Sequence, residues 1–183
     1  MTKLERASQA KTEMLKIAES LTIPALVDAC KIVLYNPKFV VSYGCTNHHC
    51  YEGGLACHTE EVTKYALEMT KMFPHANRDV VATAAIFHDY MKIKDYAGSG
   101  PGGLVKAPYR YLVRHVAGSH AEFMKAVENA KVSEDIVIKI EHAMLAHHGR
   151  LEWESPVTPV LIEAYILHYA DTFSQKFGET SKG

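Results

Sequence analysis

No stretch of the sequence reaches the ~18–20 consecutive apolar residues that a bilayer-spanning helix needs. The first residues, MTKLERASQAKTEMLKIAES, are polar with a helical period and lack the apolar centre of a secretory leader. A cytoplasmic location with no membrane partner is therefore expected. A basic excess is also missing: 20 Lys and Arg stand against 21 Asp and Glu, a formal net charge of −1. Proteins that hold long nucleic acid by its backbone carry a basic surplus, so the balance points to a small or short substrate. Cysteine is scarce. Cys30, Cys45, Cys50 and Cys57 are expected to be reduced, buried thiols. No repeat, low-complexity tract or linker interrupts the 183 residues, which suit one domain with one core.

What the chain has in quantity is histidine, 11 in all, mostly in tight groups. The surrounding pattern is helical nearly throughout. Apolar residues recur at three- and four-residue steps over about 3–19 and 23–35. The stretch 39–54 is irregular, and 55–72 is helical up to the residues before Pro74. A strongly apolar helix follows over 78–88, with Asn77 placed to cap it. Helices are then expected over about 111–130, 133–148 (starting at Ser133) and 158–177. The Gly/Pro-rich run at 97–103 reads as a flexible lid or connector, because it lacks the lysine-plus-hydroxyl ending of a phosphate loop. A short β-hairpin is placed near 104–109. The fold class is all-α.

His88 and Asp89 close the apolar helix. An aspartate directly after such a run is costly unless it is paired or bound to a metal. Alone, a His-Asp dipeptide says little. The order of the other groups says more: His58, then His88-Asp89, His115, His147-His148 and Asp171. Imidazole and carboxylate together suit divalent transition metals. Cys45, His48, Cys50, Cys57 and His58 could also build a structural zinc site, but their spacing matches no familiar finger.

The segments NHHCYEGGLACH (47–58), HDYMK (88–92), LVRH (112–115), AHHGRLEWESP (146–156) and ILHYADTFSQK (166–176) carry a family resemblance. Together they resemble the HD superfamily of metal-dependent phosphohydrolases and, more narrowly, the HD domain of YhaM-type 3′–5′ exoribonucleases. The resemblance implies an HD-domain helical bundle. It divides the chain into N-terminal helices (1–45), a metal-site core (46–177) and a flexible tail (178–183). It implies one divalent ion on His58, His88, Asp89 and Asp171. It implies a second on Asp89, His115, His147 and His148, with Mn first and Fe, Zn, Co or Mg as alternatives. Asp89 would orient a metal-activated water and Lys92 would stabilise phosphate charge; Met91 stands where the family has Gly. His48, His49, Arg110, Arg114 and Arg150 are candidate substrate contacts.

The exoribonucleases carry an OB-type nucleic-acid-binding module before the HD domain, whereas residues 1–45 here read as helix. The expected substrate is accordingly a nucleotide or short oligonucleotide. A reduced exoribonuclease, an HD-type di-iron oxygenase and a non-catalytic nucleotide sensor are the alternatives. Leu15, Ile17 and Leu21 give the N-terminal helix a face to pack on its own domain or on a second copy in a homo-oligomer. His75, His120, His142 and His168 read as ordinary core or surface histidines, and Trp153 and Tyr165 as core, with stacking on a base left open for Trp153 because it closely follows the histidine pair.

Overall fold

The computed structural model describes residues 1–100 and 103–178. Helix α1 (Lys3–Glu19) starts at a reciprocal capping box between Thr2 and Glu5. It buries Ala7, Ala10, Met14 and Ala18, one stripe at the helical period. Helix α2 (Pro24–Tyr35) opens on a proline, which costs nothing at a first-turn position. Its start is held by Asp79, whose carboxylate accepts from the Thr22 and Ile23 amides and the Thr22 hydroxyl. Helices α3 (Gly54–Thr70) and α4 (Arg78–Phe87) follow. Asn77 caps α4 by accepting from the Asp79 and Val80 amides.

Every residue of α4 from Asp79 to Phe87 is buried, because α4 packs against α1, α2, α3, α6 (His115–Val127), α7 (Glu134–Ala146) and α8 (Ile162–Phe177). Phe123, Ile140, Met144, Ile166 and Leu167 are fully or almost fully buried around it. Helix α3 in turn lies between α1 and α8. Leu15 and Ile17 pack against this same core and Leu21 is buried in it, so the apolar face of α1 is used within the chain.

The fold is the helical one the sequence implies, with three local differences. The hairpin joins β1 (Tyr96–Gly100) to β2 (Gly103–Lys106), earlier than the expected 104–109. Its first strand is glycine-rich and β-poor by propensity, so pairing with Leu104 and Val105 supplies what composition does not. Pro101 and Gly102 of the expected lid, and residues 179–183 of the expected tail, lie outside the described residues.

The helix expected over 111–130 is divided. A single turn, α5 (Tyr109–Leu112), ends at Val113, and Arg114 adopts φ +67° before α6 starts at His115. No glycine marks this break. Helix α8 begins at Ile162 and not at 158, after an irregular segment over 155–161.

Candidate metal centre

The site is assembled where α3, α4, α6, α7 and α8 meet. His58 sits in the second turn of α3, held there by a tight approach at the helix start. A Cβ on Gly54 would lie 2.0 Å from the His49 carbonyl oxygen, so glycine is the residue that lets the 44–49 loop close over α3. That closure buries His48 and His49, which places their rings 5.0 and 5.3 Å from His58. They are not exposed loop residues.

His88 is the C-cap of α4, and Asp89 leads into a 3-10 turn over Tyr90–Lys94. Met91 is buried in that turn and its amide donates to the Ser119 hydroxyl, so the methionine is accommodated. His147 is the C-cap of α7 and His148 follows it. Asp171 projects from the third turn of α8.

These side chains converge on Asp89. Its Oδ2 is 3.3 Å from His58 Nε2, 3.3 Å from His88 Nε2 and 2.5 Å from Lys92 Nζ. Its Oδ1 is 3.3 Å from His115 Nε2 and 3.8 Å from His147 Nε2. Asp171 Oδ1 is 3.1 Å from His58 Nε2, and His148 Nε2 is 3.4 Å from His115 Nε2. The two oxygens of one carboxylate thus face two separate groups of donors. His58, His88 and Asp171 form one cluster of metal-ligand dimensions, His115, His147 and His148 another, and His88, Asp89 and His147 span the two.

The buried polar atoms point the same way. His58 Nε2, His88 Nε2, His147 Nε2, Asp89 Oδ1 and Asp171 Oδ1 are all buried without a hydrogen bond. Unsatisfied polar atoms are expensive and rare in folded proteins, and here they are gathered at one point. Meanwhile the opposite ring nitrogens are engaged. His88 Nδ1 meets the Ala85 carbonyl at 2.7 Å, and His147 Nδ1 meets the Met144 carbonyl at 2.6 Å. His58 Nδ1 meets Ser174 Oγ at 2.9 Å, and that hydroxyl donates to Glu61. Carbonyl contacts at Nδ1 fix the tautomer that leaves Nε2 as the lone-pair donor, the usual outer support of a metal-binding histidine. The residues present therefore fit one or two divalent ions.

Electrostatics separates the histidines. Burial pushes His147 well below its ordinary range. Burial together with the neighbouring His115 takes His148 down to about 4. Burial, then the charge of His58, takes His48 down to about 3. These imidazoles are neutral at pH 7. For His58 burial also acts downward, but Asp171 and Asp89 outweigh it and raise the ring to about 9. Burial would raise both carboxyls. Lys92, His88 and His115 hold Asp89 well below its usual range, and His58 does the same for Asp171.

Four supporting residues, Asp95, Gln175, Ser174 and Glu61, are absent from the sequence-based candidates. Asp95, fully buried, brings Oδ2 within 3.3 Å of His115 Nδ1 and accepts from Arg110 Nη1 at 3.0 Å. Gln175 donates to Asp171 Oδ2 at 2.6 Å. Ser174 and Gln175 lie three and four residues after Asp171, and Glu61 lies three after His58, so helical spacing from a ligand could have found them. Asp95 follows an irregular turn and offers no such signal.

Of the substrate candidates, His48, Lys92 and Arg110 line a cleft of about 330 Å³ with His115 and His148. Arg110 is committed to Asp95 and stacks on Tyr96. Arg114 pairs with Glu154 at the rim. Arg150 lies over the Trp153 ring in a separate cleft, away from Lys92. Trp153 and Tyr165, expected in the core, are 52% and 43% exposed. Cys30 and Cys57 are buried free thiols, but Cys45 and Cys50 are only half-buried, and among the described residues no cysteine joins a metal-ligand cluster. Among the described residues no helix is long and apolar enough to cross a membrane.

Comparison with known proteins gives the site a context. A family model described as the HD domain matches residues 55–175. The chain is 33% identical over 143 residues to the 3′-5′ exoribonuclease YhaM of Bacillus licheniformis, covering 78% of this chain and 45% of that protein. It is 34% identical over 130 residues to the Bacillus subtilis protein of the same name, covering 71% and 41%. The corresponding figures for the Geobacillus sp. protein are 35% over 146 residues, 78% and 44%. The chain therefore spans under half the length of these curated relatives. No solved structure matches it.

Proposed function

The chain belongs to the HD-domain family, and from that membership we propose that it is a divalent-metal-dependent phosphohydrolase acting on a nucleotide or short oligonucleotide. The observation that carries this reading is the placement of Asp89, with one carboxylate oxygen toward His58 and His88 and the other toward His115 and His147. In this reading His58, His88, Asp89 and Asp171 hold one ion, and Asp89, His115, His147 and His148 hold a second. The mixed imidazole and carboxylate set suits divalent transition metals as a class; Mn is our first choice, with Fe, Zn, Co or Mg as alternatives. A divalent ion held there would lower the pKa of a bound water toward neutrality and would neutralise phosphate oxygens.

The chain's own residues supply the rest. Asp89 orients the attacking water through its buried carboxylate. Lys92 stays charged: burial acts to lower its pKa, but Asp89 outweighs burial and raises it. Its ammonium faces the cleft and supplies fixed positive charge where negative charge grows on phosphorus oxygens. His48, neutral and at the same cleft, is placed to contact the phosphate or its leaving group. No nucleophilic side chain is required.

A second reading, 3′–5′ exonuclease action on RNA, is favoured by the name shared by the relatives. A panel of nucleotides and short single-stranded RNAs, assayed with added Mn²⁺, separates the two. Release of phosphate or pyrophosphate from nucleotides supports the first reading. Stepwise release of mononucleotides from RNA alone supports the second. Failure to hydrolyse any phosphate ester, with metal demonstrably bound, overturns both.

A further inference from the structure

The region beyond the metal ligands carries an unusual surface. Helix α8 places Tyr165 and Tyr169 one turn apart on its outward face, 43% and 52% exposed, with ring centroids 6.5 Å apart and ring planes within 20°. Trp153 is 52% exposed on the 3-10 turn that follows the His147-His148 pair. His168 joins these rings, 6.3 Å from Trp153 and 5.1 Å from Tyr169. Its position is fixed, because its Nδ1 meets the His147 carbonyl at 2.8 Å. Gly149 makes that approach feasible: it has φ +84°, and a Cβ there would fall 2.3 Å from the His168 ring. The same contact therefore ties the aromatic cluster to the backbone of a metal-ligand candidate.

The cluster is also continuous with the metal centre. One cleft of about 350 Å³ is lined by His147, His148, Asp171 and Lys176 together with Trp153, His168 and Thr172. A neighbouring cleft of about 440 Å³ is lined by Trp153, His168 and Thr172 together with Arg150, Tyr165 and Tyr169. Three residues are common to both, so one groove leads from the ligands past the indole to the tyrosines. Arg150 sits 4.7 Å from the Trp153 ring centroid. Glu152 and Glu154 flank Trp153 and Asp171 lies at the metal-centre end of the groove; Glu154 is paired with Arg114. Exposed flat rings with guanidinium and ammonium groups beside them are the chemistry that binds unpaired bases and their phosphates.

We propose that the groove formed by Trp153, His168, Tyr169 and Tyr165 is a stacking subsite for unpaired nucleobases of a strand whose phosphate lies at the metal centre. This rests on the phosphohydrolase reading above and extends it to a single-stranded substrate of a few nucleotides, held by base faces with little regard to sequence.

Trp153 is the single tryptophan of the chain, so its fluorescence reports the groove directly. The full chain, as purified with its metal, is titrated with a phosphorothioate-linked oligoadenylate tetramer that resists hydrolysis, and with an abasic tetramer of the same backbone. Saturable quenching by the oligoadenylate, with at least a tenfold weaker response to the abasic strand, is expected. Tyr169→Ala should weaken oligoadenylate binding by roughly tenfold, Tyr169→Phe should retain it, and both should leave Mn²⁺ uptake unchanged. Equal responses to the two strands, no quenching, or a Tyr169→Ala variant that binds as tightly as the parent would overturn the proposal. Quenching by the resistant strand, with no hydrolysis of the unmodified oligoadenylate or of any nucleotide by the Mn²⁺-loaded protein, would sink the hydrolase reading and leave the subsite standing; hydrolysis of the unmodified strand with no quenching by the resistant one would do the reverse.

Discussion

Replacing Asp95 by Asn tests whether the two donor groups around Asp89 are separate sites. Asp95 touches only one of them: its Oδ2 is 3.3 Å from His115 Nδ1, while the nearest contacts of His58 and Asp171 are to each other, to Asp89, to Ser174 and to Gln175. A buried carboxylate beside the outer nitrogen of a liganding imidazole fixes the ring and increases its basicity. Loss of such a partner typically costs tenfold to hundredfold in metal affinity, or about 1.4–2.7 kcal/mol. Asparagine keeps the shape and one acceptor for Arg110, so the change removes charge with little loss of packing. Calorimetric titration of the apoprotein with Mn²⁺ should resolve two binding events in the parent. In Asp95→Asn one event should lose affinity within that range and the other should be unchanged. Equal weakening of both events, or of neither, would refute the assignment of His115 to its own ion.

Other consequences follow from the same geometry. The metal-free protein should be most thermostable near pH 6.5. Below that, His48, His147 and His148 must take up protons that burial resists, so their contribution is full above 6.5 and fades as pH falls toward about 4 and 3. Above it, His58, raised to about 9, loses the contribution that is complete below 6.5 and gone once pH passes 9. A melting temperature of the EDTA-treated protein that is flat from pH 4 to 9 would contradict this. Gly54→Ala should cost about 3 kcal/mol or more in urea unfolding, since its Cβ collides with the His49 carbonyl; a change below about 0.5 kcal/mol would show that the 44–49 loop yields freely. Lys92→Ala should lower kcat by roughly 100-fold while sparing Mn²⁺ stoichiometry, and an unchanged kcat would remove Lys92 from the reaction.

The helices were legible because their apolar residues repeat at 3.6, and the burial of α4 followed from VVATAAIF having no polar face. The seven residues His58, His88, Asp89, His115, His147, His148 and Asp171 could be singled out because an unpaired Asp after an apolar helix needs a partner, and because the order of the remaining groups matched a known pattern. Convergence itself was not legible, since it depends on how five helices meet. Asp95 escaped notice because a carboxylate after a 3-10 turn has no period to betray its direction. The break at Arg114 escaped because positive φ there is imposed by packing and not by a glycine. The core expectation fails for Tyr165 because only the structure shows which face of α8 is already filled, and for Trp153 because the 3-10 turn after His147 and His148 turns its ring outward.

Anomalous diffraction from crystals grown with Mn²⁺ tests the central claim most directly. The account predicts two peaks, one on each side of Asp89: one within bonding distance of His58, His88 and Asp171, the other of His115, His147 and His148. A single peak, or two peaks with Asp89 contacting neither, would contradict it.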